Sequence, residues 1–579
     1  MAGYGIALQK DFFNHPSNER KIYFGGPGEL MAKSLGYRLI TSILAPLFSS
    51  LVLLAALLTG TTSGQTGPHM GGTLIWGISS DPGGLDPNPL PSSIAQIQLD
   101  HAYENLVQRD WGYEKIKPGT LPLPILPKLA ASWEWRGGDL VYHIREGVKF
   151  HDGTPLNAQA VEFNFRRWWD KKFPYYYAPA AVSPGFTSGF IKNVKALDDH
   201  TFSVSLGERN WPFFDFMGEQ TFWAIVSPAA IKKYGNPQIA KSPAAAAGTG
   251  PYRIAEYEPG KRLVMERFKG YWGQQPYLDR IIFRPIPDTS ARVAALLTGE
   301  VQIIDEVDPD LMDKVRTGRG VTLALPGKPN AFSLLPKVTE PPFSDRRVRH
   351  AVSIAIDRAA IARDLLHGSA LPARGQLGIG NAAYNPNLPV PEYNPGEAKK
   401  LLAEAGYPNG FRIKTRVPGP GCGMPKTVEV MEAVQSYLRA VGIELELEPM
   451  DWVQYVSWWA SQGVPKGSPY AMAPMCTGFG TPYVLAWYNA SYSTPPHGVN
   501  IRFYSNPKLD AIFIDADRAS AYDQFVRMYR DVAQPIVYND DAVIPIFYGL
   551  NPYGVSDRVK GWTPNTAWAQ LLTRAWLAP

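Results

Sequence analysis

Residues 125–165 read ILPKLAASWEWRGGDLVYHIREGVKFHDGTPLNAQAVEFNF. Trp133 and Trp135 precede Gly137 and Gly138; Leu140, Tyr142 and Ile144 then alternate with Val141, His143 and Arg145. Alternation on either side of a Gly-Gly pair predicts a β-hairpin with an aromatic face. His151-Asp152-Gly153-Thr154-Pro155 makes a further turn, and Asn157 stands ahead of Ala160, Val161 and Phe163, which predicts a capped helix.

Working outward, Gly71–Gly77 (GGTLIWG) is a strand start that runs into the turn-rich SSDPGGLDPNPLPSS. Downstream, Leu263–Phe268 alternates, Ile281-Ile282-Phe283 is a short buried run, and SARVAALLTGE is a helix ending at Gly299 before Val301–Ile304. That strand–helix–strand order predicts parallel pairing. Ala331–Leu335 is a strand. The helix after it takes Ser344 as N-cap, with Val348, Ala351, Val352 and Ala355 on one face. Asn394-Pro395-Gly396-Glu397 combines a cap, an N1 proline and an N3 acid, and its helix stops at Gly406. Lys426–Val441 is a helix ended by Gly442, and Ile443, Leu445 and Leu447 alternate as a strand.

The chain has 579 residues, 45% hydrophobic and 12% aromatic, with 16 Trp and 29 Tyr, enough for more than one packed domain. Net charge is +5, of which residues 1–64 contribute +2 through five basic and three acidic residues. A balance of +3 over the remainder excludes a nucleic-acid footprint. Lys33 and Arg38 precede the apolar run Leu39–Leu58, and TGTTSGQ supplies small residues: a secretory signal cut after Gly64, with Thr62 at the −3 position. An uncleaved anchor is the competing reading, which Thr41, Pro46, Ser49 and Ser50 weaken. Met31 is an alternative start. No cysteine lies near the cut, so a lipid-anchored form is disfavoured. Cys422 and Cys476 are the only cysteines, and export leaves open either a disulfide or two buried thiols.

The 125–165 string closely resembles the signature of the bacterial extracellular solute-binding proteins of family 5, which include oligopeptide- and dipeptide-binding proteins that serve ATP-driven importers. Gly248-Thr249-Gly250-Pro251-Tyr252 and Lys261–Asp288 are similar to the family's next block. The resemblance implies an α/β, two-lobed periplasmic binding protein of the Venus-flytrap type (class II, cluster C), with an extra small subdomain in lobe I and a two-strand hinge. It implies a leader over 1–64, lobe I over 71–330 with the small subdomain at about 110–245, lobe II over 331–543, and a return to lobe I over 544–579. The expected role is a monomeric periplasmic receptor that captures a peptide or related small solute and delivers it to permease subunits, with no cofactor, no metal and no catalysis. A secreted hydrolase is the rival of another class. It lacks support, because no HExxH, Walker loop, CxxC or serine elbow is present.

Candidate ligand contacts gather in 451–483. Asp451 caps a short helix that carries Trp452, Tyr455, Trp458 and Trp459; Trp452, Tyr455 and Trp459 share a face that serves either the ligand or the core. Met475, Thr477, Gly478 and Phe479 lie over the segment that borders the ligand in peptide-binding members. There an acidic side chain pairs with the peptide's α-ammonium, a strong interaction once water is excluded. Here that position is Gly478, and no Asp or Glu occurs between Asp451 and Asp510. The departure points to a ligand without a free amine, such as an oligosaccharide or an opine-like compound, unless Asp81 or Glu104 reaches the amine from lobe I. On that side, Ser92 and Ser93 lie over the loop that pairs with peptide backbone, and Tyr177 is a further candidate.

Overall fold

The structure, a computed structural model, describes residues 67–579 apart from 90–92, 111–124, 182–183, 220–222, 420–422, 496–497 and 567–569. The signal segment, Ser92 and Cys422 therefore lie outside the described residues.

The opening hairpin forms as its alternation predicts. Ala130–Arg136 and Asp139–Ile144 pair antiparallel with Trp133 opposite Tyr142 and Arg136 opposite Asp139, so Gly137 and Gly138 make the turn. Gly137 has φ +64°, and a Cβ on Gly138 would lie 2.3 Å from the Gly207 backbone, so both positions require glycine. Two further strands, Thr201–Ser205 and Asn193–Ala196, complete a small four-stranded sheet. Asn157 caps the helix Ala158–Trp169 by accepting from Ala160 N at 2.9 Å. That helix lays Phe165 and Trp168 on the sheet, against Phe202 and Trp223.

Two larger sheets flank this module. The first has seven strands, with Thr73–Ile78 at its heart. The strands Arg280–Pro285 and Ile303–Ile304 do run parallel, but Thr73–Ile78 is inserted between them and pairs with both. The helix Thr289–Leu297, capped by Asp288, makes the crossover. The second sheet has six strands, in the order Ala370–Pro372, Ile544–Leu550, Gly327–Pro336, Met472–Thr477, Phe411–Pro418 and Ile443–Met450. Its last two strands are parallel and joined through the helix Thr427–Ala440. Asn394 caps Pro395–Glu404 as expected. The cap of Arg346–Ile354 is Asp345 rather than Ser344: its carboxylate accepts from Arg347 N at 2.8 Å. A carboxylate at the positive helix end gains charge as well as a hydrogen bond.

The chain passes between the two large sheets twice, after Ala324 and after Leu550. The two crossings lie side by side: Ala324 pairs with Tyr553, Gly327 pairs with Leu550, and Asn551 N donates to Pro326 O at 2.8 Å. This is a two-strand hinge. The strand Ile544–Leu550, where the sequence suggested that the return begins, is itself a member of the second sheet.

Each large sheet has its own buried core, one around Leu74, Trp76, Tyr252 and Phe283, the other around Phe332, Val352, Val434 and Ile546. A third cluster joins the small sheet (Tyr142, Phe165, Phe213, Phe216) to the segment after the helix pair of the second sheet (Tyr455, Leu485, Phe525, Tyr529). The candidate ligand segment borders this cluster.

Candidate functional site

The strand Met472–Thr477 pairs antiparallel with Gly327–Pro336, which sets Thr477 opposite Ala331. Met475 and Thr477 are buried in the strand, and the Thr477 hydroxyl donates to Gln376 O at 2.9 Å. At Gly478 a Cβ would lie 2.9 Å from Asn330 Oδ1, so the Asn330 amide occupies the space a side chain would need. Phe479 follows, half-buried, with its ring 5.7 Å from Phe216 of the small-sheet module and 5.9 Å from Trp487. Asn381 pins the loop by donating to Phe479 O at 2.9 Å and to Thr481 O at 2.7 Å.

Asp451 caps the helix Trp452–Ser461, as its sequence predicts. The face shared by Trp452, Tyr455 and Trp459 divides. Tyr455 is buried and its hydroxyl donates to Pro474 O, which docks the helix onto the strand. Trp452 stacks on Tyr455 at 6.3 Å, and half-buried Trp459 lies 6.1 Å from Tyr488. Met475, Thr477, Gly478 and Phe479 are thus brought together with this helix. Ser93 opens the helix Ser93–Leu99 in the first sheet's lobe. Tyr177 sits in the small-sheet module with the Arg167 guanidinium 5.6 Å over its ring, packed against the same apolar cluster that holds Met475.

The two acids that could have reached an ammonium from the first sheet are engaged. Asp81 accepts from Gly83 N, Tyr257 Oη and Gly260 N at 2.7–2.9 Å. Glu104 is buried among Thr249, Tyr271, Trp272 and Lys128, at 2.8–3.1 Å. A third acid was not evident from the sequence. Glu219, buried at the end of the helix Trp211–Met217, accepts from Gly480 N at 3.4 Å across 261 positions of chain. Arg109 Nε donates to its other oxygen at 3.2 Å and Arg109 Nη2 also pairs with Asp215 at 2.7 Å. Burial pushes the Glu219 carboxyl up to about 7, Arg109 opposing and Asp215 adding to the rise. No short-range motif marks this group; only the fold assembles it.

His151, which flanks the hairpin, is structural. Gly248 N donates to its Nδ1 at 3.3 Å while its Nε2 faces Gly250 O at 3.0 Å, and burial lowers its pKa to about 4. The ring is therefore neutral, protonated on Nε2. Among the described residues no cluster of His, Cys, Asp and Glu has a metal-holding arrangement, and no helix is long and apolar enough to cross a membrane.

Residues 124–493 match the family described as bacterial extracellular solute-binding proteins, family 5, middle region. The chain belongs to this family. It is 30% identical over 464 residues to the glutathione-binding protein GsiB of Pectobacterium atrosepticum, covering 78% of this chain and 84% of the relative. It is 28% identical over 469 residues to heme-binding protein A of Haemophilus influenzae, covering 76% and 81%. Among solved structures, HbpA2 of Haemophilus parasuis superposes with a TM-score of 0.76 at 25% identity, over 87% of this chain and all of that one. DppA of Helicobacter pylori, in complex with the peptide STSA, gives 0.71 at 24% identity over 88% and 99%. The family is one of binding proteins, and this member is the periplasmic substrate-binding component of an ABC importer, bearing a solute to the permease.

Proposed function

We propose that the solute is a peptide or a related small molecule held between the two sheets' lobes, against the 472–480 segment and the aromatic groups of Trp452, Trp459, Phe479 and Trp487. The observation that carries this reading is the convergence of Phe479, Trp487 and Phe216, contributed by both sides, beside the end of the strand Met472–Thr477. Tyr and Trp faces stack on rings, on sugars and on the flat peptide group alike. Ser92 and Ser93 are assigned to the opposite wall on the family resemblance, and Tyr177 is assigned there as a reach from the small-sheet module. Capture works by population shift: a solute touching both lobes favours the closed form, and no bond is made or broken.

A specific observation favours a second reading, a ligand without a free amine. Gly478 stands where peptide-binding members carry an acid, its space is taken by Asn330, Asp81 and Glu104 are spoken for within their own lobe, and Glu219, beside Gly480, is paired with Arg109. A desolvated ammonium with no partner would cost several kcal/mol, in order of magnitude. The relatives span both chemistries, from the peptide in DppA to agropinic acid in AgaA of Agrobacterium tumefaciens.

The two large sheets are proposed as the lobe cores, the first lobe spanning 71–326 with the small-sheet module inside it, the second 327–550, and 551–579 returning. The mature protein is proposed to begin after Gly64 as an unlipidated monomer. Cys476 is disulfide-bonded, and Cys422 is proposed as its partner. Native mass spectrometry of protein purified from periplasm tests the ligand class. Peptide masses establish peptide uptake; a hexose ladder or one amine-free compound establishes the second reading.

A further inference from the structure

The small-sheet module meets the second lobe through a buried polar group as well as through aromatic rings. Arg109, on the strand Val107–Arg109, holds Asp215 at 2.7 Å and Glu219 at 3.1 Å. Its Nη1 donates across the junction to Tyr522 Oη at 2.9 Å, and the Tyr522 hydroxyl donates to Asp215 Oδ1. Tyr522 opens the helix Tyr522–Arg527, in the chain between Met472–Thr477 and Ile544–Leu550. Glu219 reaches across in turn to Gly480 N. Trp211 Nε1 and Arg209 fasten the same face to Ala519 O and Ser520 O, each at 2.7 Å.

Among the described residues, the charges at the buried centre of this junction do not balance. One guanidinium faces two carboxylates, with side chains at most 1% exposed, and among the described residues Asp215 Oδ2 has no hydrogen-bond partner. Among the described residues, the second lobe presents a neutral phenol and a backbone N–H to the pair. At the rim, the Arg209 guanidinium spends its donors on the Ala519 and Ser520 carbonyls, and Arg518 and Glu208 neutralise each other at 2.8 Å. An excess buried anion is costly in a dry junction, and a proton is the simplest countercharge.

We propose that Arg109, Asp215, Glu219 and Tyr522 form a proton-dependent clasp: closing the small-sheet module onto the Gly480 and Tyr522 segments takes up one proton on Glu219, so acidification favours the closed receptor. Glu219 and Arg109 are then positioning residues for the Gly478–Gly480 segment. The inference rests on the receptor reading in one respect, that the lobes open and close. The predisposition of Glu219, whose carboxyl burial has already raised, agrees with it. The sign follows: a group whose pKa is higher in the closed form favours that form at low pH, and the benefit is lost as pH rises through about 7.

The test is a distance distribution between spin labels on the exposed positions of K195C and D515C, one in the small sheet and one in the second lobe, with the full mature chain and no added solute. The closed-to-open ratio is expected to fall by about tenfold or more between pH 5.5 and 8.5, the linkage expected for roughly one pH unit or more of coupled titration. E219Q, a neutral mimic of the protonated acid, is expected to stay closed at both values. If E219Q does not fold by circular dichroism, D215N removes the same excess charge and carries the same expectation. A wild-type distribution that ignores pH, one that is open at both values, or a neutral variant that keeps the slope overturns the clasp. Because no solute is present, that failure leaves the ligand reading untouched, and a ligand-free mass spectrum leaves the clasp untouched.

Discussion

Glu104 and Glu219 are both buried glutamates, and the difference between them separates the rigid part of this receptor from the part that changes. Around Glu104 every partner belongs to one side of the molecule: Thr249, Tyr271, Trp272 and Lys128 converge on its two oxygens. Around Glu219 the cation is shared with a second acid and the remaining partner, Gly480 N, comes from the other lobe. A node satisfied within one lobe persists through any lobe motion. A node completed across the junction exists only when the lobes meet. Burial alone does not tell a structural acid from a conditional one; the ownership of its partners does.

The largest effect is expected from breaking the first node. Glu104→Ala strips four donors of their acceptor and leaves Lys128 facing a buried gap. Removing one partner of a buried pair costs about 3–5 kcal/mol, and Lys128, one-fifth exposed, places this variant at the lower end. Urea denaturation should show it as a lower midpoint with an unchanged slope. The neighbouring Gly248→Ala belongs in the same class, because its Cβ would fall 2.1 Å from Ala102 O, a backbone atom that cannot swing aside. Gly478→Ala should cost about 1 kcal/mol, since the obstructing atom is the Asn330 side-chain amide, which can turn. If the two glycine variants were equally damaging, the contrast between a fixed node and a yielding loop would fail.

Acid should separate the regions by sign. His151 belongs to the Glu104 node, through Gly248 and Gly250 on either side of Thr249. Its pKa is lowered from 6.5 to about 4, chiefly by burial, so its contribution is fully present above pH 6.5 and is lost as pH falls toward 4. His101, also lowered to about 4 by burial, where its Nε2 accepts from Leu572 N, acts the same way. Each contributes up to about 3 kcal/mol to that loss. The midpoint of chemical unfolding should therefore drop between pH 6.5 and 4, and H151Q should flatten part of the drop. The clasp moves oppositely, closing as pH falls toward 5.5, so global stability and lobe closure should diverge in the same samples.

These contrasts also mark how far the sequence could be read. The hairpin, the Asn157 and Asn394 caps and the Asp451 helix start were legible because each is settled within one turn of chain. Ser344 was a near miss, since two capping residues stand side by side and the carboxylate of Asp345 takes the cap. The parallel order of 280–285 and 303–304 was legible, but not the strand from 73–78 that enters between them, because pairing partners far along the chain leave no local trace. In the candidate site the 472–480 segment could be found from the family resemblance. Arg109, Asp215, Glu219 and Tyr522 could not: an acid 261 positions from the amide it meets carries no spacing signal. The aromatic helix showed the opposite limit. Its face was legible, but only packing decided that Tyr455 would dock it while Trp452 and Trp459 stayed half-buried.

The smallest effect sharpens the comparison at its edge. Arg518 and Glu208 bridge the same two parts of the molecule as the clasp, 2.8 Å apart, but each is 55% exposed. Water and salt screen such a pair, and holding two long side chains in register costs entropy, so its net worth is about 0.5 kcal/mol or less. Arg518→Ala should leave both the unfolding midpoint and the pH dependence of closure unchanged within error. Tyr522→Phe, which removes one hydroxyl from the dry centre of that junction, should lower the closed population at pH 5.5. Distance measurements on the two variants compare contacts that span the same junction and differ chiefly in exposure. If the rim variant opened the receptor as far as the central one, the junction would be held by its charged perimeter, and the one-cation, two-acid arrangement beneath it would have no privileged role.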